Sequence, residues 1–192
     1  MNKNTLTYIL LLITMALSAL SFPDKKGEII KDQKDFILRL VNTPNSSIKT
    51  AEAIFLVNNS SKNCFKVLND IKNYPEFMPN ITETKFISKN KNGSIYDFVF
   101  EVAFMDTEYS LLLTDNVDKD IYYIDWTFVK GEINDSQGSW IIKPISISIS
   151  ELHYKVYLDP GSFIPDWITN KLTARSIPDM VEAIRKRVSE IK

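Results

Sequence analysis

Apolar and polar residues alternate with a period of two through much of residues 82–158. Within 95–104 the even positions are aromatic or aliphatic, whereas the odd positions include Asp97 and Glu101. Because successive side chains of a strand point to opposite faces, this alternation predicts strands with one buried face. Three later segments show the same pattern, at 108–114, 121–129 and 152–158. Trp140 and Ile142 continue the apolar face in a further strand, which Pro144 is expected to end. The links between these strands are short, which predicts a curved antiparallel meander.

A second pair of strands is predicted nearer the N-terminus. The apolar runs Phe36–Val41 and Thr50–Val57 are separated by the turn-forming residues N-T-P-N-S-S, which is typical of a hairpin. The preceding residues 22–35 are polar and charged, and we expect a poorly ordered or loose extension there. Within 22–48 as a whole, an extra strand stays open as an alternative.

A short helix is predicted between the hairpin and the meander. Its apolar residues follow one helical face over about 63–72, and Ser60 or Ser61 is placed to cap it. The next segment, N-Y-P-E-F-M-P-N-I, cannot continue a regular helix because Pro75 and Pro79 each remove a backbone donor. Its apolar side chains must be covered by the core, by an apolar ligand or by a membrane.

A long amphipathic helix is predicted at the C-terminus, over residues 165–191. Pro178 falls inside it, and an interior proline removes one hydrogen bond of the helix. We expect a kinked but nearly continuous helix, packed across the open face of the sheet. A second segment capped by Ser176 is the alternative.

The first 21 residues differ from the rest of the chain. Lys3 is their only charge, an apolar run covers residues 8–20, and small residues before Phe22 fit a cleavage site. We therefore predict a signal peptide and an exported protein, either periplasmic or secreted. An uncleaved signal anchor that tethers the chain to a membrane is the alternative.

The remaining composition is that of one globular domain. Of 192 residues, 44% are hydrophobic and 24% are charged. Without residues 1–21 the chain has 22 basic and 24 acidic groups and a formal charge of −2, so nothing global attracts nucleic acid. A single cysteine excludes an internal disulfide, and the core must hold the fold.

Candidate chemical groups are few. His153 is the only histidine, and the alternation of its strand points it to the solvated face. Cys64 is expected to pack as a small hydrophobe on the first helix. The acidic residues at 115–120 lack the glycine and the distal glutamate of a calcium loop. We predict no catalytic residue, no metal and no cofactor.

Basic residues concentrate on the C-terminal helix. Arg185, Lys186 and Arg187 follow one another, and Arg175 precedes them. Such a cluster is typical of a solvated helix face. Beside the mouth of a lipid cavity, it would instead allow transient contact with anionic head groups.

The order of these motifs resembles the START-like (SRPBCC) superfamily, in its polyketide cyclase/dehydrase and coenzyme Q-binding branch. The resemblance rests on N-Y-P-E-F-M-P-N-I, on G-S-W-I-I-K-P at 138–144, on L-x-Y-x-V-x-L-D-P-G at 152–161 and on the final helix, which begins P-D-W-I. It implies an α+β helix-grip fold over residues 49–192, in which a curved antiparallel sheet wraps a long C-terminal helix around an apolar cavity.

The resemblance and the strand pattern together give a candidate site. We expect the cavity to be lined by Phe98, Phe100, Tyr109, Leu111, Trp126, Phe128, Trp140, Tyr154, Trp167 and Ile168. Its rim is expected at Tyr74, Pro75, Phe77, Met78 and Pro79. Such aromatic stripes also occur in plain cores, and only a cavity gives them a binding role.

The implied function is noncatalytic binding or transport of a lipid or other hydrophobic small molecule in an extracytoplasmic compartment. The predicted export argues against the quinone-chain and ribosome-associated roles of some relatives. Two alternatives stay open because one fold hosts many functions. One is a cyclase or hydrolase that acts on an apolar substrate through Tyr109, Tyr122 or Tyr154, and the other is a protein-interaction domain with a filled core.

Overall fold

The computed structural model describes residues 20–24, 26–102, 105–161 and 164–191. The predicted signal peptide therefore lies almost wholly outside the described residues. The strands are β1 (Glu28–Gln33), β2 (Phe36–Val41), β3 (Thr50–Val57), β4 (Ile81–Asn90), β5 (Gly93–Val102), β6 (Met105–Asp118), β7 (Ile121–Gly131), β8 (Asp135–Ser146) and β9 (Ile149–Asp159). The helices are α1 (Ser61–Leu68), a 3₁₀ helix (Ile71–Glu76) and α2 (Asp166–Ser189).

All nine strands form one antiparallel sheet in the order β1-β2-β3-β9-β8-β7-β6-β5-β4. The last strand, β9, inserts between β3 and β8, which joins the N-terminal hairpin to the meander. The helix-grip fold and the antiparallel meander predicted from the sequence are confirmed.

The pairing register separates an apolar face from a polar face. One row across five strands is formed by apolar and aromatic residues, namely Leu38, Ala53, Tyr154, Trp140 and Ile124. The adjacent row is polar and consists of Arg39, Glu52, Lys155, Ser139 and Asp125. Since neighbouring residues of a strand point to opposite faces, the first row faces the helices and the second faces outward.

The prediction of a loose extension at 22–35 is wrong over its second half, where the extra-strand alternative holds. Glu28–Gln33 pairs with β2 as an edge strand. Its residues are mostly exposed on both faces, so they carry no apolar alternation that a sequence pattern could detect. The segment before β1 contacts Arg39 of β2. The guanidinium of Arg39 lies over the ring of Phe22 and forms ion pairs with Asp24 and with Glu52 of β3.

Pro144 does not end its strand, contrary to the sequence prediction. β8 continues to Ser146, with Pro144 opposite Ser150 and a register shift immediately after it. Proline is compatible with a strand next to such an irregularity because it removes only one donor of the ladder.

The first helix is shorter than predicted because its last turn tightens. The side chain of Ser60 accepts a hydrogen bond from the backbone N–H of Asn63 at 3.3 Å, as expected of an N-cap. α1 ends at Leu68, and the 3₁₀ helix that follows contains Pro75.

The C-terminal helix α2 continues through Pro178 as a single element of 24 residues. From Ile177 onward it is buried against β2, β3 and α1, through Ile177, Val181, Ile184 and Val188. The hydrophobic core thus lies under the C-terminal part of α2. The part of α2 before Ile177 buries only Thr169, and this difference leaves space above the other strands.

Candidate functional site

A cavity of about 420 Å³ lies between the N-terminal half of α2 and strands β5–β9. Its size falls within the roughly 300–1,000 Å³ range of small-molecule sites. The segment that follows the 3₁₀ helix closes one side, through Met78, Pro79 and Ile81. The loop before α2 contributes Pro160 and Ile164.

Most of the lining is apolar or aromatic. The sheet contributes Phe98, Phe100, Tyr109, Leu111, Leu113, Ile124, Trp126, Trp140, Tyr154, Val156 and Leu158. Charged groups in the lining are Glu101, Arg175 and Asp179. A cavity of this kind binds ligands mainly by removing apolar surface from water.

Two tryptophans hold the ring of Tyr154. Trp140 lies 4.3 Å from it between ring centroids, and Trp126 stacks on it at 5.9 Å. Gly138 makes room for Trp126, since a Cβ atom at this position would lie 2.1 Å from the indole atom Cζ2. Paired strands fix the backbone of all these residues, so the aromatic lining is preorganised.

The phenol groups of the lining stay protonated. Burial raises the pKa of Tyr74, Tyr109 and Tyr154 well above that of a free tyrosine. The neighbouring Tyr109 raises the pKa of Tyr154 further. Neutral phenols donate hydrogen bonds but provide no base, so the three groups suit binding better than proton abstraction.

The structure places seven of the ten predicted lining residues around the cavity, namely Phe98, Phe100, Tyr109, Leu111, Trp126, Trp140 and Tyr154. Phe128 lies outside it and packs, partly buried, against the hydrophobic core. Trp167 is 68% exposed, because it lies two residues before Thr169 and thus on the opposite side of α2. Ile168 is half-buried beside the lining face. Ligand contact by the seven residues stays a prediction.

Three of the five predicted rim residues contact the cavity, namely Tyr74, Met78 and Pro79. The hydroxyl of Tyr74 donates to the carbonyl of Leu68, which ties the segment to the end of α1. Pro75 is exposed. Phe77 packs away from the cavity, with its ring 5.5 Å from the guanidinium of Arg187.

Sequence reasoning assigned Trp167 and Ile168 of α2 to the lining but missed the residues of α2 that line the cavity. Thr169, Leu172, Thr173 and Ser176 line the cavity at the i, i+3, i+4 and i+7 spacing of one helical face. Three of these four residues are polar, and a search for apolar stripes overlooks such a face. Extending the helical period of the amphipathic second half of α2 back to residue 169 would have identified this face.

The other candidate groups lie away from the cavity. His153 contacts Glu151 at 2.6 Å and Lys143 at 3.2 Å on the outer sheet face. Cys64 is fully buried in α1, and burial raises the pKa of its thiol to about 11. Among the described residues, no group of acidic, histidine or cysteine side chains is arranged to hold a metal.

Two of the four residues of the basic cluster on α2 are held in ion pairs. Arg185 binds Asp35 and Glu182, and Arg187 binds Glu76. Lys186 is exposed, and Arg175 is exposed as well but lines the cavity. No described helix is long and apolar enough to cross a membrane.

The fold and the cavity together define a helix-grip domain built around an apolar binding space. Residues 57–185 match the family described as "Polyketide cyclase / dehydrase and lipid transport". Since the match covers more than half of the chain, the protein belongs to this family.

Several known proteins are similar to this chain. The ribosome association toxin RatA of Rickettsia prowazekii (strain Madrid E) is 26% identical over 131 residues, which are 68% of this chain and 89% of that protein. The STAR-related lipid transfer protein of Xanthomonas axonopodis superposes with a TM-score of 0.76 at 15% identity, covering 86% of this chain and all of that fragment. Human STARD10 gives a TM-score of 0.77 at 14% identity, over 91% and 83% of the two chains.

An enzyme of the same fold is also similar. The Zhui aromatase/cyclase from Streptomyces sp. R1128 superposes with a TM-score of 0.58 at 13% identity, covering 73% of this chain and 93% of that one. At these identities the solved structures show a shared fold, and function has to be argued from the cavity.

Proposed function

We propose that the protein binds and carries a lipid or another hydrophobic small molecule, without chemistry, in an extracytoplasmic compartment. The observation that carries this proposal is the 420 Å³ aromatic cavity between the sheet and the first half of α2. Membership of a family that includes lipid transport supports it. A domain with a filled core would leave no such space, so the cavity counts against the protein-interaction alternative.

The identity of bound molecules is the direct test. We expect the protein purified from its native host to release an apolar molecule on organic extraction, detected by mass spectrometry. Thr173→Trp places a bulky ring in the cavity and should abolish this recovery. Lys186→Trp, an exposed position on the same helix, is the matched control. If no molecule copurifies and the hydrocarbon probe diphenylhexatriene does not bind, the carrier proposal is wrong.

The noncatalytic part of the proposal has its own test. Incubation of the extracted molecule with fresh protein should return it with unchanged mass. A new product that Thr173→Trp fails to form would favour the cyclase or hydrolase alternative instead.

Export is proposed from the N-terminal sequence. We expect the mature chain to begin at Phe22 and to occur in the extracytoplasmic fraction, as measured by intact mass and cell fractionation. The name of the Rickettsia relative denotes association with ribosomes. A full-length chain that cofractionates with ribosomes would therefore contradict the proposed location.

Transient membrane contact is proposed at the exposed side of α2 near the cavity. Trp167, Lys171 and Arg175 are exposed and lie four residues apart, so they share one face of the helix. Tryptophan favours the membrane interface, and basic residues favour anionic lipids. The proposed membrane contact therefore involves this face of α2 and not the ion-paired Arg185 and Arg187.

Vesicle sedimentation would test this surface. Vesicles of phosphatidylcholine with phosphatidylglycerol should bind the protein more tightly than phosphatidylcholine alone, and salt should weaken the difference. A Trp167→Ala, Lys171→Gln, Arg175→Gln variant should lose the preference, whereas Lys186→Gln should keep it. Equal binding to both vesicle types would contradict the proposal.

A further inference from the structure

The cavity wall contains the hydroxyl groups of Tyr109, Tyr154 and Thr169. Tyr109 is 9% exposed and lines the cavity from β6. Tyr154 is half-buried and lines it from β9. Thr169 is 5% exposed, and its Oγ1 atom is fully buried with no hydrogen-bond partner among the described residues. The hydroxyl of Tyr74, by contrast, is satisfied by a backbone carbonyl.

A buried hydroxyl without a partner, such as that of Thr169, is exceptional in folded proteins. Buried polar atoms are nearly always hydrogen-bonded, because an unpaired donor or acceptor loses its interaction with water and gains nothing. An unpaired hydroxyl in a cavity wall is therefore an indication that a ligand or solvent completes it.

The two phenols cannot easily turn towards other partners. Tyr154 is held between Trp126 and Trp140, and the ring of Tyr109 stacks on Phe98 with centroids 5.9 Å apart. All of these rings belong to paired strands. The hydroxyl positions are thus fixed by the sheet before a ligand enters.

The two phenol side chains line the same cavity. The neighbouring Tyr109 contributes to the raised pKa of Tyr154, in keeping with this shared wall. Thr169 approaches the same space from α2. The three neutral hydroxyls therefore add hydrogen-bonding groups to a mostly apolar wall.

The charges of the lining disfavour an anionic ligand. Arg175 is accompanied by two acidic residues, Glu101 and Asp179. A carboxylate or phosphate drawn into the cavity would lose its hydration and find no excess of positive charge.

We propose that Tyr109, Tyr154 and Thr169 form a polar subsite that binds a neutral oxygen atom, a carbonyl or hydroxyl, of an otherwise apolar ligand. The inference rests on the proposed binding function and specifies its ligand class. Phenol hydroxyls donate to this oxygen, and the aromatic walls cover the hydrocarbon part. An apolar molecule without such an oxygen leaves the hydroxyls unpaired, which is how a polar subsite selects among ligands of similar shape.

Displacement of diphenylhexatriene from the purified, delipidated protein tests this subsite. The competitors are dodecanol, a methyl ketone of the same length, dodecane and dodecanoate. Tyr109→Phe and Tyr154→Phe remove one hydroxyl each and keep the ring. Each substitution should weaken the binding of dodecanol and of the methyl ketone about two- to tenfold, which is the usual effect of losing one hydrogen bond. Affinity for dodecane and for diphenylhexatriene should stay unchanged.

Tyr122→Phe is the matched control, because Tyr122 stacks on Phe65 and lies outside the cavity lining. Thr169→Val tests the third hydroxyl with a side chain of equal shape. Thermal unfolding of every variant verifies that it is folded.

The outcomes separate the subsite from the carrier function. If wild-type protein binds the alcohol, the ketone and dodecane and the Tyr→Phe variants do not change their ratio, the subsite is refuted while binding stands. Tightest binding of dodecanoate would also refute the neutral-oxygen assignment. If neither diphenylhexatriene nor any competitor binds the wild type, both the subsite and the proposed function are wrong.

Discussion

Trp126 lines the cavity and stacks on Tyr154, so its removal should affect binding more than folding. We expect Trp126→Ala to weaken ligand binding and to lower the free energy of unfolding by less than the about 3–5 kcal/mol that large-to-small changes cost in a packed core. Trp140→Ala is the control, since Trp140 is 3% exposed and packs against Phe55 as well. Urea unfolding that shows equal losses for both variants would contradict a cavity-lining role of Trp126.

The Cys64 thiol should react slowly over a wide pH range. Because burial raises the pKa of its thiol to about 11, the thiol stays protonated across the physiological range. Iodoacetamide should therefore label the native protein slowly from pH 7 to pH 10, whereas the urea-unfolded chain should react at the rate of an ordinary cysteine. Rapid labelling of the native protein would show that α1 opens or that Cys64 is accessible.

Single residues were predictable where the strand period decided their direction. The alternation placed Phe98, Tyr109 and Tyr154 on the inner face, and the structure places them in the cavity wall. Trp167 was predicted in the lining from the family resemblance, through the motif that begins the closing helix. Its direction depends on the rotation of α2 about its axis, and a motif does not specify that angle.

The two halves of α2 differ in what they cover. Ile184, in the second half, is completely buried in the core, while Leu172, in the first half, lines the cavity. Ile184→Ala should lower the free energy of unfolding by about 2–5 kcal/mol. Leu172→Ala should cost less, because its side chain already borders an open space, but should alter ligand affinity.

Chemical denaturation together with diphenylhexatriene titration would check this pair. A larger stability loss for Leu172→Ala than for Ile184→Ala would mean that the first half of α2 is packed like a core. The cavity assignment would then need revision.

Element boundaries followed the sequence where local signals were strong. The bounds of β2 and β3 coincide with the predicted apolar runs, and Ser60 caps α1. β1 was not assigned, because an exposed edge strand gains its stability from backbone pairing with β2 and not from an apolar face. The prediction that Pro144 ends its strand was wrong for a related reason. A register shift next to Pro144 accommodates the backbone N–H that proline lacks, and β8 continues.

Ligand binding should stabilise the whole molecule. The cavity exists only in the folded state, so a bound molecule adds RT ln(1 + [L]/Kd) to the free energy of unfolding, about 2.7 kcal/mol when the free ligand is at a hundredfold excess over Kd. We expect the unfolding midpoint of delipidated protein to rise with ligand concentration. Thr173→Trp, with the cavity filled, should show no such dependence, and a rise in this variant would place the ligand elsewhere.

For the whole molecule, the sequence determined the α+β class, the antiparallel meander, the closing helix and most of the aromatic inner face. These features follow from period, turn residues and caps, all of which act between neighbours in the chain. Only the tertiary structure decided that a cavity exists, because empty space depends on how far the first half of α2 stands from β5–β9. The same distance left the hydroxyl of Thr169 in the cavity wall without a partner among the described residues. The residues that form this wall come from distant parts of the chain, so no local pattern records their separation.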